Sequence, residues 1–218
     1  MPFGFGRKAA NDPAAADGGP AVAAADARGP RSVRFHGFTE EWRLDGVMAI
    51  TGRLLDALNH RNAIPLSDVR WAPADGSAPM GSAPGIQSMD PYDLIVAIAT
   101  AETAASLNEE ERAAHRIHKI SYDVALEAPP YRVVGTVQLF PGSEPESVLE
   151  RSTQMFVAVT DPTVTLNDVQ LDLGPDSEAV LVNRFYIRAV DQVDKATGVA
   201  HQRLPGQSLG GVQWRERT

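Results

Sequence analysis

The feature that most constrains this chain is a stretch that occurs twice, at residues 42–68 and, in weaker form, at residues 131–161. Residues 42–50 can be aligned with residues 131–139 so that an aromatic residue, an arginine, an aliphatic residue and a glycine stay in step. Because the following elements also recur in the same order, the sequence predicts an internal duplication. Only the arginine and the glycine are identical, so two unrelated β-hairpins would also give this pattern.

Each copy reads as a hairpin followed by a helix. Residues 32–38 alternate apolar and polar side chains ahead of the strand at Trp42, and residues 119–126 do the same ahead of Tyr131, which is the period of a β-strand. After Gly52, the leucines at 54, 55 and 58 cluster on one face of a short helix. We therefore predict a mainly β, α+β body of two related halves, each with a β-hairpin, a short helix and two further strands. The last strand of the first copy, at 92–101, is matched with residues 179–190 of the second.

The predicted organisation has five segments. Residues 1–31 form a disordered arm, because residues 9–31 are rich in Ala, Gly, Pro and Asp and have no hydrophobic period. Residues 32–103 form the first β-rich repeat, and residues 119–195 form the second. The connecting segment, residues 104–118, contains a helix from Glu109 to about His118 that Asn108 caps, and residues 196–218 form a loose tail.

Composition excludes several classes of protein. The absence of cysteine removes disulfides, thiolate metal ligands and cysteine nucleophiles. The net charge of −8 is concentrated between residues 32 and 195, and such an acidic body repels phosphate backbones, so no nucleic-acid partner is predicted. No apolar run is long enough for a transmembrane segment, and the first ten residues lack the apolar core of a signal peptide. We therefore predict a cytoplasmic protein.

The amino-terminal arm carries a candidate binding motif. Two aromatic residues, Phe3 and Phe5, lie beside two cations, Arg7 and Lys8. On a flexible segment this combination is typical of a short docking motif for a partner protein. A weak anchor to a membrane surface, or a terminus without a role, fits the same residues.

The connecting helix contains the one grouping that resembles a metal site. Glu111, His115 and His118 are spaced by four and three residues, so they share one helix face and offer a carboxylate and two imidazoles. That face lies opposite the apolar stripe of the helix, so an ordinary solvated surface explains it equally well. We predict no metal and no cofactor.

The remaining polar candidates fit structural roles. Asp68 and Asp161 follow apolar runs and are predicted to accept hydrogen bonds from backbone donors in turns. Arg43 and Arg132 are predicted to pair with nearby carboxylates. Arg112 and Arg116 have the spacing of a cyclic-dinucleotide-binding barrel, but the accompanying Asp-Gly-Ser is misplaced. Because no phosphate-binding loop or nucleophile elbow is present in the sequence either, the protein is predicted not to be an enzyme.

One stretch of the first copy resembles a known pattern. The run from Gly46 through Gly52-Arg53-Leu54-Leu55-Asp56-Ala57-Leu58-Asn59 to Ser67-Asp68 is similar to that of a bacterial family of small domains of unknown function. The second copy departs from it, with Glu and Ser at the positions of the Arg-Leu and Leu-Asn pairs. The resemblance implies a bacterial domain without an assigned activity.

These observations lead to two functional hypotheses. The first is a non-enzymatic adaptor or scaffold, whose body assembles with itself or with a protein partner while the amino-terminal motif binds elsewhere. The alternative is a small-ligand-binding or sensory module that uses the groove between the two halves.

Overall fold

The computed structural model describes residues 29–104, 119–150 and 154–200. Most of the predicted arm, connecting helix and carboxy-terminal tail therefore lies outside the described residues. The described chain is mainly β, as predicted. The first strand begins at Arg31, close to the predicted start of the folded body.

The described part of the first half contains seven strands, two short α-helices and one 3-10 helix. Its elements are β1 (Arg31–Phe38), β2 (Trp42–Ile50), α1 (Leu54–Asn59), β3 (Ile64–Pro65), β4 (Ser67–Pro73), β5 (Gly81–Ser82), β6 (Ser88–Met89), a 3-10 helix (Pro91–Asp93), β7 (Val96–Thr100) and α2 (Ala101–Ala104). The sequence predicts a long loop where β5 and β6 lie. Strands of two residues show no periodicity, so their pairing depends on the strands beside them.

The second half repeats the hairpin and continues with longer strands. Its elements are β8 (Ile120–Ala128), β9 (Tyr131–Leu139), a 3-10 helix (Pro145–Leu149), β10 (Phe156–Leu166), β11 (Val169–Gln170), β12 (Ser177–Asn183) and β13 (Ala189–Gln192). The main sheet has the order β13-β8-β9-β10-β12-β7-β1-β2-β4-β5, with β11 paired to β10, and β3 and β6 form a separate pair.

The strand registers of the two halves correspond over several pairings. Phe35 lies opposite Gly46 in the first hairpin, and Val124 lies opposite Gly135 in the second. Each hairpin's second strand then pairs with a strand whose register shifts at the same place. The shift falls between Asp45 and Val47 in the β2–β4 pair, and at the positions aligned with these two in the β9–β10 pair. Each shift is a β-bulge.

The bulges explain two unusual backbone positions. Asp68 and Asp161 have φ angles of 51° and 47°, in the left-handed region that side chains rarely adopt. The neighbouring strand has a glycine opposite each bulge, and the two backbones approach so closely there that a side chain on this glycine would be destabilising. A Cβ at Gly135 would lie 2.8 Å from the backbone oxygen of Thr160, and one at Gly46 would lie 3.3 Å from that of Ser67. The glycine and the aspartate of the sequence pattern thus belong to one feature.

The correspondence continues to the end of each half, but with a different partner from the predicted one. In the first half Phe38 lies opposite Val96, and in the second Glu127 lies opposite Ala189. The counterpart of β7 is therefore β13. The predicted match of residues 92–101 with 179–190 was wrong, because residues 179–183 belong to β12, which pairs directly with β7.

The β7–β12 pair joins two hydrophobic cores. The side chains of Val96, Ile98, Val180 and Val182 face the core formed mostly by the second half. The alternate residues Ala97, Ala99, Ala179 and Leu181 face the core formed mostly by the first half. Burial on both faces accounts for the nearly continuous apolar sequence of these strands. The two halves therefore share the β7–β12 pair, which contributes side chains to both cores.

The short helix of the first half is held by its apolar face. Leu54 and Leu58 are fully buried, and each contributes about 1.5–3 kcal/mol by leaving water. The helix also reaches the other half, because the backbone N–H of Phe156 donates to Asn59 Oδ1 at 2.8 Å. Across the described ranges, no helix is long and apolar enough to cross a bilayer.

Candidate functional site

A cleft of about 620 Å³ lies between the two halves. Its sides come from β1, β2, β7 and α2 of the first half and from the segment between β11 and β12 of the second. The lining residues are Arg34, His36, Arg43, Ile98, Thr100, Ala101, Glu102 and residues 172–177. A volume in this range is sufficient for a small molecule.

His36, which lines the cleft, is paired with a carboxylate of the neighbouring strand. His36 and Asp45 lie directly opposite each other in the β1–β2 hairpin, and His36 Nδ1 is 2.9 Å from Asp45 Oδ1. Burial raises the pKa of the Asp45 carboxyl, but the His36 hydrogen bond and the charge of Arg43 outweigh it and leave the pKa below its ordinary value. Asp45 therefore fixes the orientation of the His36 ring.

Two arginines form the basic side of the cleft. Arg43 Nε is 3.6 Å from Asp45 Oδ1, which is too long for a hydrogen bond. This buried nitrogen has no hydrogen-bond partner in the described part of the chain. Arg34 is exposed, and none of the described side-chain hydrogen bonds or ion pairs involves it. A buried donor without a partner is uncommon, and it marks a place where a water or a ligand belongs.

Carboxylates form the other side. Glu102 lies in α2, and Asp172 and Asp176 lie in the segment before β12. Asp172 Oδ1 accepts a hydrogen bond of 2.9 Å from the backbone N–H of Gly174, which shapes this segment as a turn. At its end the buried hydroxyl of Ser177 lacks a partner among the described residues.

The Asp45–His36 pair does not form a nucleophilic triad with the described residues. The Thr100 hydroxyl lies 3.4 Å from Thr103 Oγ1, and Ser177 Oγ has no hydrogen-bond partner in the described chain. A triad needs a hydroxyl or thiol within hydrogen-bond reach of the imidazole. The geometry suits binding better than acyl transfer, and the expectation of a non-enzyme stays a prediction.

Two smaller clefts occur in the second half. One, of about 520 Å³, is formed by residues 161–164 and 170–174 together with Ser177, so it adjoins the main cleft. The other, of about 390 Å³, lies between residues 121–123 and 192–196. Neither is lined by an arginine, so the cleft between the halves is the stronger candidate.

The predicted partner-binding and metal residues lie outside the described chain. Phe3, Phe5, Arg7 and Lys8 precede residue 29, and Glu111, His115 and His118 fall between residues 104 and 119. Within the described residues, no group of three or more His, Asp or Glu side chains is arranged to hold a metal ion. These proposals therefore remain predictions from the sequence.

The structural roles predicted for arginine and aspartate had different outcomes. Arg132 Nε donates to Glu127 Oε1 at 2.7 Å, and Arg43 lies beside Asp45, so the arginine prediction is confirmed. The prediction that Asp68 and Asp161 satisfy backbone donors in turns was wrong. Both lie in bulged strands, and the Asp161 carboxylate accepts from Lys195 Nζ at 2.9 Å.

Sequence reasoning missed His36, Asp45 and Ser177. The first two face each other because of the β1–β2 register, in which Phe38 lies opposite Arg43 and His36 lies opposite Asp45, and the sequence pattern alone did not fix that register. Ser177 carries no local signal, since its position depends on the non-local pairing of β12 with β7. Comparison of the chain with protein-family models, curated proteins and solved structures finds no significant match.

Proposed function

We propose that the protein is a non-enzymatic binding module that takes a small polar ligand in the cleft between its two halves. One observation carries this proposal: two buried polar atoms at this concave site, Arg43 Nε and Ser177 Oγ, have no hydrogen-bond partner among the described residues. Leaving each of them unsatisfied costs about 1–3 kcal/mol. A ligand with complementary polar groups recovers that free energy.

We also propose that the two halves are copies of one unit, with residues 32–103 as the first and residues 119–195 as the second. The matched hairpin registers and bulges support this duplication. So do the β3–β6 and β10–β12 pairs, where Ile64 lies opposite Met89 and Val157 lies opposite Val182. The cleft lies at the junction of the two halves, between β1, β2, β7 and α2 of the first and the segment before β12 of the second.

A steric block tests the ligand proposal without changing charge. Ala101 is exposed and lines the cleft, so Ala101→Trp fills it. Ala196, exposed in the cleft of about 390 Å³, provides the control Ala196→Trp. Native mass spectrometry of the full chain in a small-molecule extract of bacterial cells is expected to show a bound adduct that Ala101→Trp loses and Ala196→Trp keeps. An adduct unaffected by Ala101→Trp, or no adduct, contradicts the proposal.

An adaptor or scaffold is the second candidate, favoured by an aromatic surface near one end of the main sheet. Trp42 and Trp71 stack with ring centroids 4.4 Å apart, and Trp71 is 39% exposed. The neighbouring edge strand, β5, has only two residues. The short edge offers few backbone groups for pairing with another strand, so the exposed tryptophan is the part of this surface suited to a protein partner or to a second copy of the chain.

The adaptor proposal includes the amino-terminal motif and the cellular location. Phe3 and Phe5, with Arg7 and Lys8, would bind a protein partner, in the cytoplasm and without nucleic acid. Light scattering of the full chain is expected to give a dimer mass that falls to that of a monomer in Trp71→Ser but not in Phe140→Ser. Phe140 is 54% exposed and is the matched control. A wild-type mass of one chain at high concentration argues against self-assembly.

A further inference from the structure

We propose that the ligand of the cleft is a small zwitterion of the amino-acid class, with a carboxylate bound by Arg34 and Arg43 and an ammonium group bound by Glu102 and Asp176. This inference rests on the proposed function and specifies its ligand. Three observations carry it: the placement of the two signs of charge around the cleft, the lack of described partners for three of the four charged residues, and the contrast with the corresponding positions of the second half.

The sheet order separates the two signs of charge. The strands run β12-β7-β1-β2 across the base of the cleft. Arg34 and Arg43 come from β1 and β2, whereas Asp176 lies immediately before β12. Glu102 is the second residue of α2, directly after β7. The arginines and Asp176 therefore enter from opposite sides of β7, while Glu102 enters at the end of β7. A ligand of one charge would satisfy only one of the two signs.

Three of the four charged residues in this proposal have no partner within the described part of the protein. The described ion pairs and side-chain hydrogen bonds include neither Arg34, Glu102 nor Asp176. Arg43 has only the long contact to Asp45. Arginine is well suited to a carboxylate because its planar guanidinium presents parallel N–H donors.

In the second half, the charged residues at the corresponding positions are paired with other residues of the protein. Register places Asp123 where the first half has Arg34, and Lys195 where it has Glu102. Asp123 Oδ1 accepts from Thr136 Oγ1 at 2.7 Å, and Lys195 Nζ donates to Asp161 Oδ2 at 2.9 Å. The signs are exchanged and both charges have partners. The open charges are therefore specific to the cleft side.

The apolar lining restricts the rest of the ligand. Ile98 and Leu173 also line the cleft, and Ile98 is almost fully buried. A short aliphatic chain between the carboxylate and the ammonium group would cover them. Such a molecule pairs with the basic and the acidic groups of the cleft at once. It should therefore bind more tightly than an ion that carries only one charge.

Three matched small molecules test the inference. 4-Aminobutyrate carries both charges, butyrate only the negative one and butylammonium only the positive one. Each is titrated into the isotope-labelled full chain, and amide chemical shifts are followed by nuclear magnetic resonance. We expect 4-aminobutyrate to shift the signals of Ile98, Thr100 and Ser177 and to bind about tenfold more tightly than either analogue. We expect about tenfold weaker binding in Arg34→Gln and no change in Arg188→Gln, which alters an exposed arginine of the other half.

The outcomes separate this inference from the proposed function. If butyrate binds the cleft as tightly as 4-aminobutyrate, or if Arg34→Gln changes nothing, the zwitterion is overturned and the cleft remains a ligand site. If none of the three molecules shifts cleft signals while the extract adduct is still lost in Ala101→Trp, the ligand class is wrong. If that adduct is absent as well, the proposed function fails with it.

Discussion

The two hairpins of this molecule share their backbone pairing and differ in their outer face. In the first hairpin the opposed residues His36 and Asp45 form a hydrogen-bonded polar pair. At the same place in the second, Ala125 lies opposite Val134, and Ala125 is fully buried. Arg132 Nη2 there donates to the backbone oxygen of Gly198 at 3.2 Å, so the chain end crosses this face. The first hairpin keeps the same face open as a cleft.

The comparison teaches that the β-bulge limits which residues are allowed, whereas the outward-facing positions of the hairpins accept different residue types. Gly46 and Gly135 are the same residue because the opposite strand leaves little room. The outward positions are under no such steric limit, so the pair His36 and Asp45 is polar whereas the aligned pair Ala125 and Val134 is apolar. The following predictions test this contrast, from the largest expected effect to the smallest.

Adding a methyl group at the bulge is expected to harm the second half more. In Gly135→Ala the new Cβ meets Val159 Cγ1 at 2.6 Å and the Thr160 backbone oxygen at 2.8 Å, whereas the closest atom in Gly46→Ala is at 3.3 Å. We expect losses in unfolding free energy of about 3 kcal/mol and about 1 kcal/mol respectively. Urea denaturation measures both. Equal losses would show that the two bulges are packed alike.

The side chains that cap the turn before the last strand of each half are also expected to differ, with the larger loss of stability again in the second half. Asn183 Oδ1 accepts from the Phe185 N–H, as Asp90 Oδ1 accepts from the Tyr92 N–H. Asn183 is also fully buried and donates to the Leu94 oxygen at 2.7 Å. Asn183→Ala should therefore cost about 2 kcal/mol and Asp90→Ala about 0.5–1 kcal/mol, measured by thermal unfolding. A larger effect at Asp90 contradicts this.

The polar pair of the first hairpin is expected to make stability depend on pH in the acidic range. Because the folded-state pKa of Asp45 is lowered, its contribution is complete above the ordinary carboxyl pKa and is lost as the pH falls through the lowered value. Asp45→Asn should cost about 1 kcal/mol near neutral pH and progressively less below about pH 4. Denaturant titrations from pH 2 to 7 measure this. His36→Ala, which removes the hydrogen bond, should reduce the same dependence, and an unchanged profile there argues against the pair.

The smallest effect is expected for the paired charges of the second half. Lys195 and Asp161 are 35% and 76% exposed, so solvent screens their attraction. Lys195→Ala should cost less than about 0.5 kcal/mol, and less still in high salt. Glu102→Ala at the corresponding position removes no described contact, so its stability should stay unchanged while ligand binding falls. A substantial stability loss in Glu102→Ala would mean that this carboxylate has a structural partner.

Local sequence pattern predicted the elements that depend on neighbours along the chain. Both hairpins, the helix after Gly52 and the mainly β class follow from short-range alternation and spacing. The helix of the second half was less regular than its counterpart, because Pro145 begins a 3-10 turn there. The pairing of Arg132 with a carboxylate also followed from composition and strand position.

Non-local pairing explains what the sequence left open. The apolar strand at residues 96–100 could be recognised, but its neighbour β12 lies about eighty residues later in the chain. The cleft depends on that pairing, because it brings Ser177 and the preceding turn beside β7. Its residues are widely separated in sequence and form no motif, so periodicity and spacing had no means of grouping them.

Because the β7–β12 pair belongs to both hydrophobic cores, the two halves are expected to unfold together. The core of the second half includes Phe38, Ile95, Val96 and Ile98 from the first, and the core of the first includes Phe156 and Leu181 from the second. The hydrophobic core of each half therefore includes side chains from the other half. Cutting the chain between the halves would leave two incomplete hydrophobic interiors, so the pair should melt in one cooperative transition.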